Sequence, residues 1–589
     1  MSRKQHHGRS VADRGLVGLA AGLVLVLLTG CAVSPAQREA ADALVAAHRD
    51  SAPARPLPDW PLAPLADVVG QDHRLIVIER GDDALAMRLH LIRTATESID
   101  IQNYIFLLDD SGQLLLDELL AAARRGVRVR LLLDSLFSLP DEELLAALEL
   151  AHPNFELRLY GPVLGQAVLT DPEFIGAIFC CFGRLNQRMH NKLMVVDERH
   201  GLVGGRNHSA RYFDLDTRMV FLDLEVLVTG PVVGQMVAGF DAFWQHHQAL
   251  PPRHTRRINR RLLGAPLPAV DLTRSARLAA MTARFADGRW LERLLADQSY
   301  RVASVSYFSD LPSDRPRWSR PPADDSTAVI HGLVDSATRQ VVIQTPYAVL
   351  SRRFGRLLTG LDPEVELIIS SNSLASTDAF PVYAVSRKQR AALLEQAGAR
   401  FYELKPFPPE PAAFVPRYPA LIAERAAGIE TAMRGDPGQA TRVMPGPRLS
   451  LHGKIVVVDA RQSIVTSHNF DPRSERWNTE NGIVVDDPDF AAAMLDYVGR
   501  ITAAEISWVS SLRPAAGGWL SALNQTGSGL SRRLPTLDLW PGYRFEQYEQ
   551  SATAGTAEAV GLAPEVVAWQ RRWITSFVSR MMGFLRPLL

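Results

Sequence analysis

One ten-residue pattern, present twice, constrains this chain more than any other feature: Arg188-Met-His-Asn-Lys-Leu-Met-Val-Val-Asp197 and Ser450-Leu-His-Gly-Lys-Ile-Val-Val-Val-Asp459. Both copies read His-x-Lys-x-x-x-x-Asp, with their histidines 262 residues apart (452 − 190). Each is followed at the same distance by a small-residue turn closing on asparagine, Gly204-Gly-Arg-Asn207 and Thr466-Ser-His-Asn469. In a chain of 589 residues with only 15 histidines, this repeat points to a duplicated fold carrying one functional element per half.

The four residues after each lysine are apolar and largely β-branched, the composition of a buried strand. Side chains two apart on a strand share a face, so His190 and Lys192 project together, as do His452 and Lys454. Each pair sets an imidazole, able to act as nucleophile or proton carrier near neutral pH, beside a cation that can hold a phosphate oxygen. Asp197 and Asp459 complete the catalytic motif, but five residues beyond their lysines they read as structural anchors at the strand ends. Asn207, Ser467 and Asn469 offer hydrogen-bond donors to a phosphate from the neighbouring turns.

The repeat is longer than the motif. Ile99–Phe106, Val127–Leu133 and Phe155–Tyr160 in the first half, and Val341–Tyr347, Val365–Ser370 and Arg400–Leu404 in the second, read as strands alternating with helices. Such alternation predicts an α/β sandwich in each half, with a mixed, largely parallel sheet. After each motif, Phe221–Val228 leads into Gly230-Pro231 and a helix, and Asn478–Val485 leads into Asp487-Pro488 and a helix; proline suits a first helical turn. Glu225 and Glu480 follow their histidines by 35 and 28 residues (225 − 190, 480 − 452), on a strand expected beside the motif strand. A carboxylate there would hold one ring nitrogen and fix the tautomer. Asp223 competes with Glu225 for that role.

The paired motifs resemble the phospholipase D superfamily, enzymes built from two His-Lys-Asp repeats. Within it, Phe182-Gly-Arg-Leu-Asn-Gln-Arg-Met-His190, Val203-Gly-Gly-Arg-Asn207 with Tyr212-Phe213, and Asn469-Phe-Asp-Pro-Arg-Ser474 followed by Asn478-Thr-Glu480 resemble a bacterial cardiolipin synthase subgroup, over residues 70 to 510. The resemblance implies two α/β halves related by a pseudo-two-fold, with the active site at their interface. It implies His190 as nucleophile, forming a phosphohistidine, and His452 as acid and base; the symmetry of the motifs themselves ranks neither. The implied reaction is phosphatidyl transfer, making cardiolipin from phosphatidylglycerol and a second phospholipid. Hydrolysis to phosphatidic acid, and a metal-independent phosphodiesterase or nuclease, are the alternatives. The chain departs from the usual pattern at Gly205, where serine is common, and at Thr466, where glycine is common; Gly205 removes a hydroxyl donor from the first turn. No cofactor is implied, and no Cys/His set has metal-ligand spacing. Lys+Arg and Asp+Glu both number 64, so no overall field favours nucleic acid as a partner.

The N-terminus carries Arg3, Lys4, Arg9 and Arg14 ahead of an apolar run from Leu16 to Leu28, a targeting segment too short for a comfortable membrane span. Leu28-Thr-Gly-Cys31 resembles the lipobox of bacterial lipoproteins, implying a signal peptide over 1–30 and acylation of Cys31; an uncleaved signal anchor is the other reading. Ala32 after the cysteine implies a periplasm-facing lipoprotein of the outer membrane. The remaining divisions are a Pro-rich lipidated tether (31–69), a first half (70–250), a connector (251–325), a second half (326–510) and a tail (511–589). The connector opens on the basic run Arg253–Arg261, a solvated face or a contact for anionic lipid. Residues 405–448 form an insertion placed to cover the site. In the tail, aromatic residues and arginines recur at helical spacing over Pro564–Leu589, a basic amphipathic helix for a lipid interface or for packing on the body. Cys180 and Cys181 are adjacent, which disfavours disulfide geometry, so no bridge is expected. The expected partners are phospholipid substrates and a membrane, with the chain a monomer.

Overall fold

Helical and β-branched runs alternate in both halves, and in the computed structural model they set down twenty strands among the described residues. In chain order these are β1 (His73–Ile78), β2 (Ser98–Asn103), β3 (Arg128–Asp134), β4 (Phe155–Tyr160), β5 (Leu193–Val196), β6 (His200–Gly204), β7 (Met219–Leu222), β8 (Glu225–Thr229), β9 (Ala249–Leu250) and β10 (Ser299–Val302). The second set is β11 (Val305–Ser309), β12 (Gln340–Gln344), β13 (Glu366–Asn372), β14 (Arg400–Leu404), β15 (Arg448–Leu451), β16 (Ile455–Val458), β17 (Gln462–Thr466), β18 (Asn481–Asp486), β19 (Ser507–Leu512) and β20 (Phe545–Tyr548). The structure describes residues 33–49, 60, 62–66, 70–264, 266–267, 276–313, 326–435, 446–512 and 545–548. The signal peptide, Cys31, nearly all of the proline-rich stretch 51–61 of the tether and the C-terminal amphipathic helix expected from the sequence lie outside the described residues.

Two nine-stranded sheets result, ordered β10-β1-β8-β6-β5-β2-β3-β4-β9 and β11-β18-β17-β16-β12-β13-β14-β19-β20. Both are mixed, as expected for an α/β sandwich, but the expectation of largely parallel sheets is corrected: six of the eight pairings in each are antiparallel. Within these two sheets parallel pairing is confined to β2-β3-β4 and β12-β13-β14, the strands joined by helical crossovers, which parallel neighbours require. The motif strands instead form hairpins. β5 turns into β6 through Asp197 and Glu198 at φ 51° and 55°, and β16 into β17 through Asp459 and Ala460, both at φ 54°. Two successive left-handed residues match the right-handed twist of the flanking strands, and aspartate tolerates that region better than most residues. The connector is more than a link, since its β10 and β11 close one edge of each sheet.

Helices Gly81–Thr94, Asp110–Arg124 and Glu142–Glu149 cover one face of the first sheet. The inner faces of both sheets, with helices Val233–Trp244 and Pro488–Ile501, merge into one core holding Val203, Val226 and Phe240 from the first half and Val457, Ile483 and Met494 from the second. Each such side chain contributes about 1.5–3 kcal/mol of burial, so the two halves are held together by a common interior.

Three further expectations are corrected. Phe221–Val228 is not one strand; it breaks at Asp223-Leu224, and β7 leaves its own sheet to pair in parallel with β15 of the other half. The basic run is not simply a solvated face, since three of its five arginines are engaged within the protein: Arg253 pairs with Asp42 and Glu149, Arg257 with Glu142 and Glu173, and Arg261 with Glu143. Cys180 and Cys181 are joined by a disulfide. It lies where helix Asp171–Cys180 gives way to helix Phe182–Asn186, and Cys181 leaves the helical region there (φ −137°, ψ 28°), a kink that lets neighbouring sulfurs meet.

Candidate active site

Two short parallel contacts between the halves build the site. In one, β7 runs beside β15 with Leu222 opposite Leu451; the next residues along each chain are Asp223 and His452. In the other, Met189 bridges Thr479 in parallel; the next residues are His190 and Glu480. The consequence is reciprocal. His452 Nδ1 lies 2.7 Å from Asp223 Oδ2, and His190 Nδ1 lies 2.7 Å from Glu480 Oε2, so each histidine is held by a carboxylate of the opposite half. A carboxylate on Nδ1 takes that nitrogen's proton in a hydrogen bond and leaves Nε2 as the reactive atom.

Glu480 is therefore the histidine partner expected from the sequence, although it serves the other half's histidine. Glu225 is not. It sits on β8 past the break and forms a buried bidentate pair with Arg88 at 2.8 and 2.5 Å. Asp223 takes its place. The sequence held the signal: counted back from the matched prolines, Asp223 and Glu480 stand at the same distance (231 − 223 and 488 − 480, eight residues each), and Glu225 does not.

Both motif lysines are buried with their histidines, though His190 and Lys192 precede the strand ladder rather than lying in it. Lys192 Nζ donates to the His190 carbonyl at 2.7 Å, and Lys454 Nζ donates to the His452 carbonyl and lies against its ring. Asn481 clamps the first motif from the second half, accepting from Lys192 N at 2.9 Å and donating to Lys192 O at 3.0 Å. Asp197 and Asp459 stand apart, as strand-end anchors. Asp197 accepts from the amides of Thr96, Glu97 and Ser98, and Asp459 accepts from those of Thr338, Arg339 and Gln340. They belong to the motif but touch no reacting group.

Of the expected phosphate donors, two are otherwise engaged. Asn207 Nδ2 donates to the Tyr212 hydroxyl at 2.9 Å, and Ser467 Oγ donates to Glu480 Oε2 at 2.5 Å. Ser467 thus orients the carboxylate that orients His190. Its counterpart Gly205 has no space for that hydroxyl, because a Cβ there would lie 2.4 Å from Asp223 Oδ1; the glycine lets Asp223 approach His452. Asn469 takes part through its backbone, its amide donating to Ser474 Oγ at 3.1 Å, and its side-chain Oδ1 is buried without a hydrogen-bond partner among the described residues.

Several residues complete the site; Tyr212 lies in a segment that carries the family resemblance, whereas Tyr104 and Tyr347 have no sequence signal of their own. The Tyr212 hydroxyl lies 3.2 Å from His452 Nε2. The Tyr104 ring meets His190 edge-on at 4.7 Å, with Lys192 Nζ 5.5 Å from its centroid. Tyr347 donates to Asp378 at 2.9 Å.

The electrostatics distinguish the two histidines. Burial, then Lys192, Lys454 and Arg473, hold His190 well below the usual imidazole range. Burial and Lys454 lower His452 to about 4, but Asp223 and Asp378 oppose the shift. Burial lowers Lys192 to about 7 and Lys454 to about 8. Burial works to raise Asp223, yet His452 and Lys454 outweigh it and keep it below the usual carboxylate range. Besides its Glu480 partner His190 faces three cations, whereas His452 faces Lys454 together with the carboxylates of Asp223 and Asp378.

A family model described as cardiolipin synthase, phospholipase D-like domain, matches residues 89–244 and 330–502. Cardiolipin synthase C of Escherichia coli (strain K12) is 32% identical over 426 residues, covering 71% of this chain and 82% of that protein. An uncharacterized protein of Helicobacter pylori (strain J99) is 30% identical over 424 residues, covering 71% of this chain and 76% of that one. Among solved structures, the phosphatidylserine synthase of Haemophilus influenzae Rd KW20 is 14% identical, with 74% of this chain and 87% of that chain covered and a TM-score of 0.46.

Proposed function

Because this chain belongs to the phospholipase D-like cardiolipin synthase family, we propose that it transfers a phosphatidyl group from one phospholipid to the head-group alcohol of another, making cardiolipin from phosphatidylglycerol and a second phospholipid. The observation that carries this reading is the reciprocal pairing of His190 with Glu480 and His452 with Asp223, beside two buried lysines. His190, neutral and held through Nδ1 by Glu480, attacks phosphorus through Nε2. A phosphorus–nitrogen bond forms, the bond to the leaving alcohol's oxygen breaks, and His452 gives that oxygen its proton. The acceptor hydroxyl then loses its proton to His452 and attacks the phosphohistidine, which releases His190. Lys192, Lys454 and the side-chain NH₂ of Asn469 hold the non-bridging oxygens as negative charge gathers there. The phosphodiester's own charge raises His452 on binding, so the imidazolium needed for the first step forms in the complex, with Asp223 stabilising it.

Acyl chains on Cys31 would hold the enzyme at the periplasmic face of a bilayer, where its substrates reside; each buried methylene adds about 0.8 kcal/mol. The test is incubation of the full chain with phosphatidylglycerol, with and without phosphatidylethanolamine, followed by lipid mass spectrometry. Cardiolipin supports transfer. Phosphatidic acid alone supports hydrolysis, and an unchanged lipid pool refutes both.

A further inference from the structure

Helix Asp171–Cys180 lies just ahead of the first motif, and its outer face is apolar and uncovered. Phe174 is 39% exposed, Ile175 56%, Ile178 40% and Phe179 85%, while Ala177 on the inner face is fully buried. That inner face rests on a small cluster with Val163 and Leu185, apart from the main cores. Burial of the chain's apolar surface therefore gives no reason for this face to be left open. Leu136 packs against that same small cluster, and the residue after it begins a chain of ring contacts to the active site. Phe137, 43% exposed, packs against the Tyr104 ring at 5.3 Å, and Tyr104 packs against His190 at 4.7 Å.

We propose that this helix seats in the surface of a bilayer containing anionic phospholipid, beside the mouth of the active site. The choice of lipid rests on the phosphatidyl-transfer reading above, and two further observations favour it over a second protein. Taking roughly 200 Å² for a whole large side chain, the exposed fractions of Phe174, Ile175, Ile178, Phe179 and Phe137 total about 500 Å². A stable protein interface needs about 800 Å² per partner, whereas shallow insertion into lipid requires no shape-matched partner. The charge is also complementary: from Phe174 to Val196 the chain has no acidic residue, and the exposed Arg184 presents a cation to the surface, while Arg188 and Lys192 are buried. Asp171 and Glu173 stand at the far end of the helix, the latter paired with Arg257. A lipid drawn from the bilayer at this point passes from apolar surface to His190 without crossing bulk water.

The test uses the full chain carrying Cys31→Ala, so that no acyl anchor keeps it on the vesicle. Phe179→Trp is mixed with vesicles of phosphatidylglycerol and phosphatidylethanolamine bearing brominated acyl chains, with the Cys31→Ala chain as background. The expected result is bromine quenching of the added tryptophan, together with at least a tenfold loss of vesicle turnover in Phe174→Ser/Phe179→Ser. The same double variant should turn over a monomeric short-chain phosphatidylglycerol within twofold of its parent. No added quenching overturns the proposal. So does a dimer in sedimentation that Phe179→Ser dissolves, because the face then belongs to a second copy. Quenching without turnover of either lipid form leaves the docking face standing and refutes the transfer reading instead.

Discussion

Asp223→Asn isolates the carboxylate that the halves exchange. The native oxygen accepts the His452 Nδ1 proton at 2.7 Å in a fully buried setting. The amide removes the charge and, with its NH₂ turned to the ring, forces the proton to Nε2, the atom that must exchange it with substrate. Two unit charges about 4 Å apart at an effective dielectric of ~20 interact by about 4 kcal/mol, lost when the imidazolium faces a neutral amide. At 1.36 kcal/mol per decade, kcat should fall roughly 10³-fold, measured as cardiolipin formed per unit time at saturating phosphatidylglycerol. Glu225→Gln is the control, since it strips the buried Arg88 of its partner and should cost about 3–5 kcal/mol of folding stability with kcat of the folded enzyme nearly unchanged. Wild-type kcat in Asp223→Asn, or a larger kcat loss in Glu225→Gln, would refute the assignment of the histidine partner.

Because Lys192 and Lys454 are lowered to about 7 and about 8, kcat/KM should decline as pH rises through 7 to 8 and the site loses its cations; a profile flat to pH 9.5 would contradict their role. Asp459→Ala should cost about 2 kcal/mol of stability in denaturant unfolding, through three amides left to solvent, with kcat within tenfold of wild type. Asp459 is depressed to about 2 by those amides despite the opposing effect of burial, so its contribution is present above pH ~4, the unfolded carboxylate range, and is lost as pH falls through about 2. The chemistry assigned to histidines and lysines needs no metal, so turnover should survive EDTA, and a loss restored by a divalent cation would count against it.

The α/β class and both motif pairs were legible in the sequence because periodicity and local spacing carry them: strands Phe155–Tyr160 and Arg400–Leu404 fall where the pattern puts them. The aspartates' turn role was legible too, since distance along a strand excluded them from the phosphate. What escaped was non-local. A continuous strand over Phe221–Val228 would place Asp223 and Glu225 on one face, and nothing local announces that the chain breaks there to join β15 of the other half. The same inter-half pairing decides that Glu480 serves His190 rather than His452, while Asn207 and Ser467 hold neighbouring side chains of their own halves instead of phosphate. Tyr104 and Tyr212 reach the histidines through folding alone.

The most direct measurement is the covalent intermediate itself. Rapid mixing with phosphatidylglycerol, alkaline quenching to preserve acid-labile phosphohistidine, and mass spectrometry of the digested chain should find a phosphatidyl adduct on the peptide bearing His190. The adduct should vanish in His190→Ala and accumulate when the acceptor alcohol is withheld. An adduct on another side chain, or steady turnover with none at any time point, would contradict the two-histidine account.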